Sequence, residues 1–86
     1  MENRFDITDP RDDPRGGYLS FTILDGATEI PGRISTPAMR ILADDSNNSP
    51  TGVFAANKAK IRAAAYKFRR FNPGLPMIVL GARDFS

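Results

Sequence analysis

Residues 18–34 read YLSFTILDGATEIPGRI, and the reading of this stretch decides the fold. Two runs of alternating apolar and polar residues flank Asp25-Gly26. That dipeptide is preferred in two-residue hairpin turns, because glycine accepts the positive φ the tight turn demands. A period of two places successive side chains on opposite faces of a strand. The stretch therefore predicts an antiparallel hairpin of strands 19–24 and 28–34. With Asp25-Gly26 as the turn, Leu24 faces Ala27, Ile23 faces Thr28, Phe21 faces Ile30 and Leu19 faces Gly32. Leu19, Phe21, Ile23, Ile30 and Ile34 then share a dry face. Tyr18, Ser20, Thr22, Glu29 and Arg33 share a wet one. Pro31 has no N–H for a ladder, which puts the second strand at an edge there or turns the missing donor outward.

A dry sheet face needs a cover, and the downstream sequence supplies one. STPAMRILADD predicts a helix over 36–44, with Thr36 as cap and Pro37 at the first helical position. Ala38, Ile41 and Leu42 form its apolar stripe. Ser49-Pro50 repeats the same cap-and-proline order and opens a second helix over 50–71, stopped by Asn72-Pro73-Gly74. On a helical wheel Val53, Phe54, Ile61, Ala64, Ala65, Phe68 and Phe71 fall within about 120°, a core-facing arc. The apolar run LPMIVLGA is too short for a helix and reads as a strand over 77–80. Upstream, residues 1–17 are polar and turn-rich, with Asp-Pro-Arg at 9–11 and again at 13–15. Within them Phe5 and Ile7 alternate and suggest a short strand over 5–8. The expectation is one α+β domain, residues 1–86, in which two helices pack on one face of a small antiparallel sheet.

Composition removes many chemistries. The 86 residues include no cysteine and no histidine. Disulfides, thiolate metal sites and the usual proton shuttle are excluded, and a reducing compartment is the simplest setting. No apolar run approaches the roughly 18 residues of a membrane span. The expected location is the cytoplasm, away from any membrane. Phosphate-loop and dinucleotide motifs are absent. Asp12 and Asp13 fall far short of the six or more oxygens that calcium takes. The best remaining catalytic pair, Arg83 and Asp84, reads more simply as a backbone cap or ion pair beside a packed Phe85. The chain is expected to be no enzyme, with no cofactor, metal or small-molecule substrate.

A formal charge of +2 conceals a gradient. Residues 1–45 hold nine acids against five basic residues, whereas residues 46–86 hold one acid against seven. Such a layout fits a polyanion partner or attraction between the two halves of the fold. Lys58, Lys60, Arg62, Lys67, Arg69 and Arg70 spread over the arc the apolar stripe leaves free, with Tyr66 among them. Together these seven residues are the candidate polyanion-binding face. A helix of about 22 residues is roughly 33 Å long, close to the diameter of so small a domain. Its last turn is expected to overhang the sheet, which makes Phe68 and Phe71 the candidate self-association contact.

The order of these pieces resembles a bacterial family of small proteins catalogued as domain of unknown function 1488. The resemblance covers roughly residues 18–85 and rests on the hairpin, the spacing in VFAANKAKIRAAAYKF and the ending ARDF. Its residues are Phe21, Ile34, Phe54, Asn57, Ile61, Ala65, Asp84 and Phe85, mostly core positions. It implies an α+β fold with helices on one face of an antiparallel sheet, and it transfers no activity or site residue. The segment before Tyr18 and the loop DSNNSPTG depart from the family pattern. The functional expectation is an interaction module that binds a protein or a second copy of itself as a homodimer. The alternative is nucleic-acid binding through the basic face of helix 50–71.

Overall fold

The computed structural model describes residues 5–13, 16–44 and 48–85, and its sheet grows from the hairpin. Strands β2 (Tyr18–Asp25) and β3 (Thr28–Ser35) pair antiparallel, with Asp25 opposite Thr28, Ile23 opposite Ile30, Phe21 opposite Gly32 and Leu19 opposite Ile34. This register is offset by two residues from the one expected with Asp25-Gly26 as the turn. The loop is Gly26-Ala27, with Gly26 at φ +63° and Ala27 outside the positive-φ region. Positive φ at the first loop position alone is the signature of a type II′ turn. Because strand side chains repeat every two residues, a two-residue slip leaves both faces intact. Leu19, Phe21, Ile23, Ile30 and Ile34 are all buried, as their alternation predicts. The slip changes the cross-strand partners, and it places the Phe21 ring over Gly32.

The segment read as turn-rich contains a full edge strand. β1 (Phe5–Asp12) runs antiparallel to β2, four residues beyond the expected 5–8. Its ladder breaks between Thr8 and Arg11, where three steps along β1 match two along β2. The extra residue is a β-bulge that holds Asp9 at φ +56° next to Pro10. Aspartate tolerates that conformation, and proline fits an edge strand at a bulge, where no ladder N–H is missed. Phe5 and Ile7 are buried beneath the helices. The second Asp-Pro-Arg copy includes Pro14 and Arg15, which lie outside the described residues.

On the opposite edge β4 (Ile78–Leu80) pairs with β3, and the two strands are parallel. The strand order is β1-β2-β3-β4, so the sheet is mixed instead of antiparallel throughout. The reason is the connection: the chain between β3 and β4 crosses one face as helices and re-enters the sheet in the same direction. β4 covers only Gly32 to Ile34, so Pro31 stands beyond its end, where β3 has no neighbour on that side. An internal strand thereby accommodates a proline.

Three helices cover the dry face. In α1 (Thr36–Ala43) the cap is Ser35 and not Thr36: its Oγ accepts from the Ala38 N–H at 3.3 Å. Ala38 and Leu42 are buried, but Ile41 is 41% exposed and lies off the core stripe. The helix expected over 50–71 is two helices, α2 (Pro50–Ala56) and α3 (Lys58–Phe71). Ser49 caps α2 as expected, its Oγ accepting from the Gly52 N–H at 3.2 Å. The break is at Asn57, with φ −114° and ψ 21°. Its Nδ2 donates to the carbonyls of Leu42 at 3.2 Å and Val53 at 3.0 Å, which ties the junction to the end of α1. With 14 residues α3 is about 21 Å long, not 33 Å. Val53, Phe54, Ile61 and Ala65 are buried on the sheet, and the Phe54 ring meets Phe21 at a centroid distance of 5.4 Å. Phe71 leaves the predicted stripe altogether at 75% exposure.

Candidate functional site

The line Ile61–Ala65–Phe68, which α3 presents to the core, divides its surface into two flanks. One flank faces β1 and the end of the hairpin. There Lys58 Nζ lies 3.8 Å from Asp6 Oδ1, an exposed pair worth little. Arg62 Nε donates to the Phe5 carbonyl at 2.9 Å, and the Tyr66 ring meets the Phe5 ring edge-on at 5.1 Å. One turn on, Arg69 Nε donates to Asp25 Oδ2 at 2.8 Å and its Nη1 donates to the Pro73 carbonyl. Arg70 places its guanidinium 5.9 Å from the Tyr66 ring. This flank holds the fold together. Its cations fasten the edge strand and the hairpin turn to the helix, so several of their donors are already directed at the protein's own oxygens.

The other flank carries Lys60, Ala63, Ala64 and Lys67 and looks across at α1. With Ile41, Leu42, Asp84 and Phe85 on the far side, it encloses a depression of about 460 Å³. A second depression of about 360 Å³ continues it toward Phe71, Asn72 and Arg83. The two share Ala64, Lys67 and Asp84, so they form one groove along the helix. Its far wall is set by a 3-10 turn, Ala82–Asp84, in which Asp84 Oδ2 accepts from the Gly81 N–H at 2.7 Å. Phe85 packs on the core behind it. Among the described residues neither Lys60 nor Lys67 makes an ion pair.

The seven candidate polyanion residues are therefore not one surface. Lys58, Arg62, Tyr66, Arg69 and Arg70 lie on the β1 flank, and Lys60 and Lys67 lie in the groove. The candidate self-association pair also separates: Phe68 is half-buried against the core, and Phe71 projects beside the groove. The sequence puts Ile41 in the α1 stripe and makes Asp84 a cap or ion pair beside a packed Phe85, but it does not place them together as a groove wall, because the return of the C-terminal residues to α1 is a tertiary event.

Folding turns the charge gradient along the chain into one between layers. The three helices carry seven basic side chains and no acid. Asp6, Asp9, Asp12, Asp25 and Glu29 all belong to the three antiparallel strands. The open sheet face carries the Arg33 guanidinium 4.4 Å from the Tyr18 ring and, beside it on β4, Val79 at 47% exposure. Among the described residues no cluster of three metal-binding side chains occurs, and no helix is long and apolar enough to cross a membrane. No protein-family model, curated protein or solved structure matches the chain.

Proposed function

We propose that the chain is a cytoplasmic, non-enzymatic interaction module, related to the small-protein family it resembles, that binds another protein through the groove between α3 and α1. The observation that carries this reading is apolar surface left uncovered beside that groove. Phe71 is 75% exposed at one end and Ile41 is 41% exposed at the other. Large apolar side chains left exposed beside a polar rim are a usual mark of a contact surface. The rim here is Lys60 and Lys67 on one side and Asp84 on the other.

Nucleic-acid binding is the second reading, favoured by a helix layer with seven basic side chains and no acid. On α3, the helix this reading concerns, Lys58, Arg62 and Arg69 face the protein's own oxygens, which leaves Lys60, Lys67 and Arg70 for phosphate. Three contacts give a slope of about −3 for log affinity against log salt. Two measurements separate the readings. A photocrosslinking residue at position 71 is expected to give discrete protein adducts in cells, and the same residue at position 22, on the open sheet face, none. Equal adduct patterns at both positions, or DNA affinity with a slope near −3 and no adducts at 71, would overturn the protein-binding reading.

A further inference from the structure

Resting on that protein-binding reading, we infer that the occupant of the groove is an acidic, amphipathic helix of a different protein, not a second copy of this chain. The groove has an apolar floor, Ala63, Ala64 and Leu42, with two lysines on one rim and, on the other, Asp84, whose Oδ2 already accepts from the Gly81 N–H. Lys60 and Lys67 are seven residues apart on α3, two turns or about 10 Å along its axis. A helix laid along α3 with carboxylates at the same i, i+7 spacing meets both ammonium groups while its apolar stripe covers Ile41 and Phe71.

Among the described residues no helix of this chain fits that pattern. Its three helices lack acids entirely, so a second copy brought helix-first to the groove sets lysines and arginines against Lys60 and Lys67. Like charges at close range oppose that pairing. A phosphate backbone would satisfy the lysines but would leave Ile41 and Phe71 in water, and Tyr66 lies on the other flank of α3, edge-on to Phe5. An occupant with an apolar side and an acidic side satisfies both, with its acids set against the lysine rim and away from Asp84 on the far wall.

The test is amide chemical-shift mapping on the isotopically labelled full chain with four probes. These are a 16-residue helical peptide of leucine and glutamate with glutamates seven apart, a scrambled peptide of the same composition, the first peptide with lysine replacing glutamate, and a short DNA duplex. Shifts at Ala63, Ala64, Lys67 and Phe71 are expected with the first probe alone. Lys60→Glu with Lys67→Glu is expected to weaken that peptide about tenfold and to favour the lysine peptide. Lys60→Gln with Lys67→Gln serves the same purpose should charge reversal perturb folding, with an intermediate loss expected. Equal binding of the scrambled or lysine peptide, displacement of the peptide by DNA, or sedimentation showing a dimer that Phe71→Glu dissolves would each overturn the inference. Protein adducts from position 71 with all peptides silent sink this inference and leave the broader reading standing. Silence in both experiments sinks both.

Discussion

Replacing Gly32 with alanine tests the packing that sets the hairpin register. A Cβ built at Gly32 lies 2.6 Å from Cζ of Phe21, 2.8 Å from Cε2 and 2.9 Å from Cε1. Carbon atoms in contact sit about 3.5–4.0 Å apart, so the ring has to retreat by roughly 1 Å. Its retreat is blocked, because Phe21 is buried and already meets Phe54. Overpacking of this kind costs about 1–3 kcal/mol. Loss of unfolded-state freedom on replacing glycine offsets about 0.5 kcal/mol. The expected net loss is about 1–2 kcal/mol, a fall in Tm of roughly 5–15 °C for a domain of this size. Urea unfolding followed by far-ultraviolet circular dichroism and tyrosine fluorescence reads the change. Gly81→Ala is the control: nothing lies within 4 Å of its Cβ and its φ of −110° suits any residue, so stability is expected to hold or rise slightly. Adding Phe21→Leu to Gly32→Ala is expected to recover part of the loss, since a shorter side chain frees the space. A neutral Gly32→Ala, or a double variant whose losses simply add, would refute the claim that Phe21 fills the place of a Gly32 side chain.

Three further outcomes follow from contacts at the helix ends and flanks. Ser35→Ala and Ser49→Ala each remove a side-chain acceptor from a helix start and are expected to cost about 1 kcal/mol apiece in urea titrations. Asn57→Ala deletes both donations that hold the α2–α3 junction to Leu42 and Val53, and an expected loss of about 1–2 kcal/mol should appear with faster amide exchange at the end of α1. A double-mutant cycle on Arg69→Ala and Asp25→Ala is expected to give a coupling of about 0.5–1 kcal/mol, because the side chains stay 19% and 33% exposed; it should shrink in 1 M salt.

What the sequence revealed was what local chemistry decides. The two hairpin faces follow from alternation alone, and the Ser49-Pro50 start follows from capping. The exact register did not, because Asp25-Gly26 and Gly26-Ala27 both put glycine in a tight turn. What separates them is the fit of Phe21 over Gly32, a contact between strands. β1 was cut short at residue 8 because Asp9 and Pro10 locally read as a turn, and only pairing with β2 makes them a bulge. Asn57 carries no proline or glycine signal; the helix breaks there because its amide finds the Leu42 carbonyl fifteen residues away. The basic residues of α3 were visible, but which flank they occupied in the fold depended on where β1 docks. Phe71 and Phe68 share a predicted stripe; α3 ends at Phe71 as expected, and of the two only Phe71, its last residue, lies beyond the core.

The parallel join between β3 and β4 bears on how the chain is made. Gly32 and Ile78 are neighbours in the sheet yet are synthesised 46 residues apart. A nascent chain emerging from the ribosome completes its hairpin early and then waits for the remaining strand. Throughout that interval β3 shows a bare edge from Gly32 to Ile34, the kind of template that invites intermolecular strand addition. Pro31 shortens that exposed template from one side, and the arrival of Ile78–Leu80 closes it.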